Sequence, residues 1–403
     1  MKKGQAFTDF ILERDQEKIS NQDDQTIGLD FIETVKQMGY PLKKAEDLVS
    51  TYLQPLFDSV LNFTGITPIN SFKTVDNQEF YRALKEETIN LIPPHLREYC
   101  VRLSDAYWNA DKEEFLKLSD EDPIKFLTLF DSVKHITGMA SYSAGAFSQH
   151  GNCIFIDVEK SERFNYYAFF NVFNKTEKIK QAHEEALSFQ RGEYKYLLTE
   201  ELAHSTHNGI LKQNKERFGE FMELYEQFIQ SLVTYPEDAL NGFLPAAFSI
   251  EGTNIRFIPL KDLSKCEKLY IIITNLGLGA HRDFLKKLML KKLPSELNKS
   301  FKRLARCYNM SSIPPCVGEG YSEVVVNGIL SSDGDYQKFN VYAKEHLKKG
   351  DILPTLISYR MLGQNFVNRI YETLGKKTFM VVNQELPTIR ELNNPSDYLT
   401  RIK

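Results

Sequence analysis

The sequence has one tryptophan, five cysteines and no apolar stretch long enough to cross a bilayer. Its longest apolar runs, Tyr166–Phe170 and Leu269–Ile273, fall far short of the roughly 18 residues a spanning helix needs, so no membrane span is expected. Cys100, Cys153, Cys266, Cys307 and Cys316 are scattered, odd in number and without a CxxC spacing. That pattern fits reduced thiols better than a disulfide framework or a thiolate zinc site. Asp9, Glu13 and Asp15 interrupt the segment after Lys2 and Lys3, so no Sec signal peptide is expected. A cytoplasmic protein, or one exported without a cleaved Sec signal, follows. Neither sign of charge dominates: 50 basic and 54 acidic residues leave a net charge of −4. Without a basic excess, nucleic acid is not an expected partner. There is no GxxxxGK[ST], no GxGxxG after a strand and no GxSxG, which leaves no motif for a nucleotide loop or a serine-hydrolase elbow. Tandem repeats and heptad runs are also missing, and the oligomeric state stays open.

What is present is a rich supply of rigid apolar surface, 28 Phe and 20 Tyr in 403 residues, enough for two or three domains. The fold class expected is α+β, with a mainly helical N-terminal domain over 1–135 and a mixed domain over 136–403. Apolar residues at three-to-four spacing predict helices over Ile27–Met38 and Ala45–Leu61, and the Ser119–Pro123 segment supplies starting residues for a helix over Ile124–His135. The texture changes at Gly138. His150-Gly151-Asn152 marks a turn before a strand over Cys153–Val158. Further helices are expected over Glu177–Gln190, Glu193–Leu211, Glu216–Val233, Ala280–Leu293, Gly318–Leu330 and Leu353–Leu374, with short strands at Ile255–Pro259 and Leu269–Ile273 and a break at Pro314-Pro315.

The segment with chemical content is Tyr196–Asn208, YLLTEELAHSTHN. Residues four apart share a helix face, so Glu200 and His204 point the same way, with His207 one turn further and Glu201 beside them. A solvated polar face gives the same pattern without any site. Glu201-x-x-His204 is also half of a di-iron carboxylate motif, but no other histidine has an acidic residue three positions before it.

Glu200-Glu201-Leu202-Ala203-His204 resembles the HExxH helix of zincin metallopeptidases, with the first His replaced by Glu. The resemblance implies that Glu201 is the general base, that His204 is a metal ligand, and that Glu200 stands where the first ligand belongs. Gly145-Ala146-Phe147 through Ile154–Asp157 resembles the edge strand that borders the zincin cleft. Gly318-Glu319-Gly320-Tyr321-Ser322-Glu323 resembles the gluzincin helix that carries a third ligand, Glu319 first and Glu323 in reserve. On this reading 136–403 is a zincin-like domain with 212–312 inserted in it. Tyr359–Gly363 and Pro387–Tyr398 match no pattern of the family.

The resemblance implies a Zn²⁺-dependent peptidase acting on peptide or protein substrates. Two carboxylates with one His cancel the ion's charge and make a harder ligand set, which moves the preference toward Mn²⁺ or Fe²⁺. His207 is an alternative ligand. The opposing expectation is an inactive relative that binds no metal and uses the cleft to hold a peptide or protein partner. In that case Glu200 should be engaged by a protein group.

Overall fold

The computed structural model describes residues 25–236, 247–250, 256–259, 264–276, 294–347 and 353–402. These residues are mostly helical, with a three-stranded sheet and a separate two-stranded hairpin. The chain divides into two compact units, and neither is a continuous stretch. One groups Thr88–Thr137 with Glu216–Ser311; the other takes Asp23–Glu87, Gly138–Lys215 and Ser312–Lys403. Among the described residues, the divisions between units lie at 87/88, 137/138, 215/216 and 311/312. Residues 23–87, however, group with the second unit rather than with an N-terminal domain. The 216–311 segment is likewise no free-standing insertion, because it shares a unit with 88–137.

The reason lies in a common apolar core. Leu96, Tyr99, Leu103, Phe126 and Phe130 from the earlier stretch are buried in one cluster with Phe228, Ile229, Leu269 and Phe301 from the later one. Phe115 and Phe126 meet edge to face at 5.1 Å and Phe126 stacks on Phe130 at 5.3 Å, geometries that aromatic pairs prefer. Asp111 starts the helix Lys112–Glu121 by accepting from the Glu114 N–H at 3.1 Å. Leu269–Ile273, expected as a strand, lies inside a helix, Lys265–Leu276. Leu269, Ile271 and Ile272 are all buried there, and so short an apolar run carries no period that separates strand from helix. Arg256–Pro259 is a strand as expected, paired antiparallel with Ala247–Ile250. Ala280–Leu293 lies outside the described residues.

The second unit is built around one long helix, Ile179–His204, hereafter the site helix. It packs against Ala45–Thr64, Val158–Thr176, Ile313–Leu330 and Gly334–Leu347. A sheet of order β1-β3-β2 completes the unit, with β1 Phe72–Val75, β2 Gly145–Ser148 and β3 Cys153–Asp157. β3 runs parallel to β1 and antiparallel to β2. Only β3 was anticipated in full; four-residue strands such as β1 leave too little alternation to read.

The site helix runs unbroken through Gly192, where two helices were expected. A Cβ on Gly192 would fall 2.3 Å from the Asp335 carbonyl oxygen, so the missing side chain admits the start of Gly334–Leu347. Asp335 then accepts from Ser188 Oγ at 2.6 Å, from Arg191 Nε at 2.9 Å and from Lys195 Nζ at 3.2 Å. The site helix stops at His204 rather than continuing to Leu211, and a new helix, Asn208–Val233, begins four residues on. Asn383 fixes that second start: its Oδ1 accepts from the N–H groups of Gly209 and Ile210 at 2.7 and 3.1 Å. Pro314 and Pro315 begin the helix Ile313–Leu330 instead of preceding it, since proline in a first turn forfeits no helical hydrogen bond.

Glu193 is buried within this packing and accepts from Ser161 Oγ at 2.7 Å and from Asn165 Nδ2. Burial pushes its carboxyl up to about 7, against 4.5 for the group in water. Between those values the folded state holds a proton that the unfolded chain has released. Stability therefore falls as pH rises through that window, by about 3 kcal/mol in all. Urea denaturation at pH 5 and pH 8 measures this loss, and Glu193→Gln is expected to remove most of it.

Candidate metal centre

The last turn of the site helix presents Glu200, Glu201 and His204. Across from it, the helix Ile313–Leu330 presents Glu319. Ligand atoms of Glu200, His204 and Glu319 all lie within 4.8 Å of one another, and this trio is a group able to hold a metal ion. His204 Nε2 is 3.9 Å from Glu319 Oε1. The field at this point is negative three times over, from two carboxylates and from the C-terminal end of the site helix. One imidazole and two carboxylates from rigid helices suit a divalent ion, with the oxygen majority favouring the harder Mn²⁺ and Fe²⁺ more than a two-histidine set does.

His207 is not part of this trio. With the helix ended at His204, its Nε2 lies 3.0 Å from His204 Nδ1, behind the ligand rather than beside it. That contact leaves His204 Nε2 as the ring nitrogen facing the carboxylates. If Nε2 ligates a metal, Nδ1–H is the donor and His207 Nε2 the acceptor, an orienting role common behind metal-bound histidines. Burial and the neighbouring His204 push the His207 imidazole well below its usual range, so it is neutral. Its ring packs on Gly318, where a Cβ would come within 3.1 Å of Cε1. Glu323 is also turned aside, accepting from Asn327 Nδ2 at 3.0 Å. Its carboxyl is raised by burial. Of the two candidates on this helix, the structure brings Glu319 to the trio and leaves Glu323 out.

Glu201 faces β2. A Cβ on Gly145 would stand 3.2 Å from Glu201 Oε1 and 3.2 Å from Leu197 Cδ2, so glycine lets the strand run close over the helix. The Ile154 N–H is used by β1, through the Ser71 carbonyl at 2.9 Å, so its register partner Phe147 turns its own N–H and C=O away from β3. The Phe147 N–H donates to Glu201. Burial, and then the charges of Glu200 and Glu319, still hold the Glu201 carboxyl well above the ordinary carboxylate range.

The group that sequence reasoning missed is Arg360, on the helix Leu353–Leu374. Its Nη2 donates to Glu200 Oε1 at 2.6 Å, its Nε to Glu319 Oε2 at 2.7 Å and its Nη1 to the Tyr196 hydroxyl at 2.8 Å. The one warning in the sequence is the pair of glycines that brings it there. Gly320 and Gly363 meet where the two helices cross: a Cβ on Gly320 would fall 2.0 Å from the Gly363 carbonyl carbon, and one on Gly363 only 1.8 Å from the Cys316 oxygen. Arg360, one turn before Gly363, is thereby set against Glu319, the neighbour of Gly320. Gly363→Ala must push the helices apart and is expected to cost about 3 kcal/mol or more. Gly334→Ala, with nothing within 4 Å of its Cβ, is the matched control. Thermal melts of both variants check the difference.

Comparison of the chain with protein-family models, with curated proteins and with solved structures finds no match.

Proposed function

We propose that this chain is a zincin-like, metal-dependent hydrolase of peptide bonds, with an altered ligand set of Glu200, His204 and Glu319. The observation that carries the reading is the convergence of those three side chains from two helices, with Glu201 one residue along and turned to the strand β2. A divalent ion held there would polarise a peptide carbonyl and acidify a water molecule.

The chain's own residues supply the rest. Glu201 takes and returns the proton: it adjoins the trio, buried against β2, and burial first, then the charges of Glu200 and Glu319, favour its protonated form. His207 keeps the His204 ring turned so that Nε2 faces the carboxylates. β2 has no second strand partner among the described residues, and its outward backbone groups at Gly145 and Phe147 suit an extended peptide. Two of these groups are already used within the chain, the Phe147 N–H by Glu201 and the Gly145 carbonyl by Ser143 Oγ at 2.6 Å.

A second reading rests on Arg360. Because its guanidinium already pairs with both carboxylates, the cleft of an inactive relative would need no ion and would serve to hold a peptide or protein partner. Elemental analysis of the purified protein separates the two. About one equivalent of zinc, manganese or iron, lost in His204→Ala, is expected. Glu201→Gln should keep that metal while lowering hydrolysis of a mixed peptide library by about 10²-fold or more. No bound metal after incubation with excess Zn²⁺ overturns the enzyme reading in favour of the second.

A further inference from the structure

Arg360 lies on a segment that matches no part of the zincin pattern, yet it spends all three guanidinium nitrogens at the candidate centre. Its two ionic partners come from different helices, Glu200 from the site helix and Glu319 from Ile313–Leu330. The two carboxylates are paired through one oxygen each, Glu200 Oε1 and Glu319 Oε2, and the oxygen of Glu319 nearest His204 Nε2 is the other one, Oε1. The guanidinium thus reaches the carboxylates without taking the oxygen that faces the histidine.

The charges give this arrangement a purpose. A ligating imidazole is neutral, so two histidines and one glutamate bring one negative charge to an ion. Two glutamates, one histidine and one arginine bring the same. We propose that Glu200 and Arg360 act as a unit, a charge-neutral substitute for a single neutral ligand, so that Arg360 compensates the carboxylate at position 200. This deepens the metal-centre reading and rests on it. In the compensated site, Arg360 weakens the pull on a cation but leaves a bound ion with the net positive charge that makes it an effective Lewis acid. Without Arg360 the two carboxylates would attract the ion more strongly and neutralise it.

The test of charge compensation is the Zn²⁺ and Mn²⁺ affinity of the two single variants and their double at fixed pH, read by competition with a chromophoric chelator; the coupling of the pair is read separately, in EDTA. Arg360→Met is expected to tighten binding at least tenfold and Glu200→His to weaken it by a similar factor. The double variant is expected to return to within about threefold of the parent, since its charge count is the parent's. Arg360→Lys, which keeps the charge and reaches only one carboxylate, should fall between parent and Arg360→Met, and it serves if the methionine variant does not fold. Unchanged or weaker binding in Arg360→Met, or in Arg360→Lys where only that variant folds, overturns the proposal.

His204→Ala tells that failure apart from failure of the metal reading. If it leaves affinity intact, the ion binds elsewhere and the reading falls. The remaining arm needs no metal. In EDTA, Arg360→Met should lower the melting temperature by several degrees and Glu200→Gln in the same chain should restore part of it. Additive effects of the two changes in EDTA would show that they are not a unit.

Discussion

Two carboxylates that meet beside the C-terminal end of a helix need a cation or a shared proton, and Glu200 and Glu319 meet there against Arg360. The C-terminus of the site helix adds its own partial negative charge. Arg360 answers all of these at once, with hydrogen bonds of 2.6 and 2.7 Å to the carboxylates. Removing one partner from such a set leaves an uncompensated charge in a partly dry environment, typically at a cost of about 3–5 kcal/mol. The same guanidinium also holds Tyr196, whose hydroxyl accepts from Nη1 at 2.8 Å, while Phe366, Val367 and Ile370 bury the helix Leu353–Leu374 in the apolar core.

The demand can be met only because backbones come close. Gly320 against Gly363 sets the helix that carries the arginine on the helix that carries Glu319. Gly192 admits Gly334–Leu347, and Gly145 lets β2 run beside Glu201. In each case the deciding quantity is the room that a missing Cβ provides. Larger residues at these places would separate the elements and the charged groups they bring together. The glycines thus connect packing to chemistry: they determine which side chains meet.

Arg360 also bears on how Glu200 is accommodated. A glutamate there adds a full negative charge beside the Glu319 carboxylate, and such a pair is tolerated when a cation accompanies it. The same cation serves either outcome for the cleft. It balances the two carboxylates in the metal-free site, and in the proposed loaded site it would offset the charge that the second carboxylate brings. Glu201 feels the surrounding charge as well, since Glu200 and Glu319 add to the effect of burial in raising its carboxyl range.

The sequence by itself determined the local geometry. Four-residue spacing put Glu200 and His204 on one helical face, and the alternation of Cys153–Val158 with the turn before it marked β3. The mixed α and β character was legible for the same reason, because period and turn chemistry are local properties. Tertiary structure decided the rest. His207 moved behind His204 because the helix ended at a turn held by Asn383, more than 170 residues away. Glu319 and Glu323 share one face of their helix, a turn apart, and only the folded chain shows that the Glu319 turn meets the trio while Glu323 is held by Asn327. Residues 23–87 joined the second unit, and 216–311 joined 88–137, through shared cores that no window of sequence contains. Arg360 was invisible for that reason: its importance lies in a charge balance with residues 160 and 41 positions distant, and only the folded chain brings those charges together.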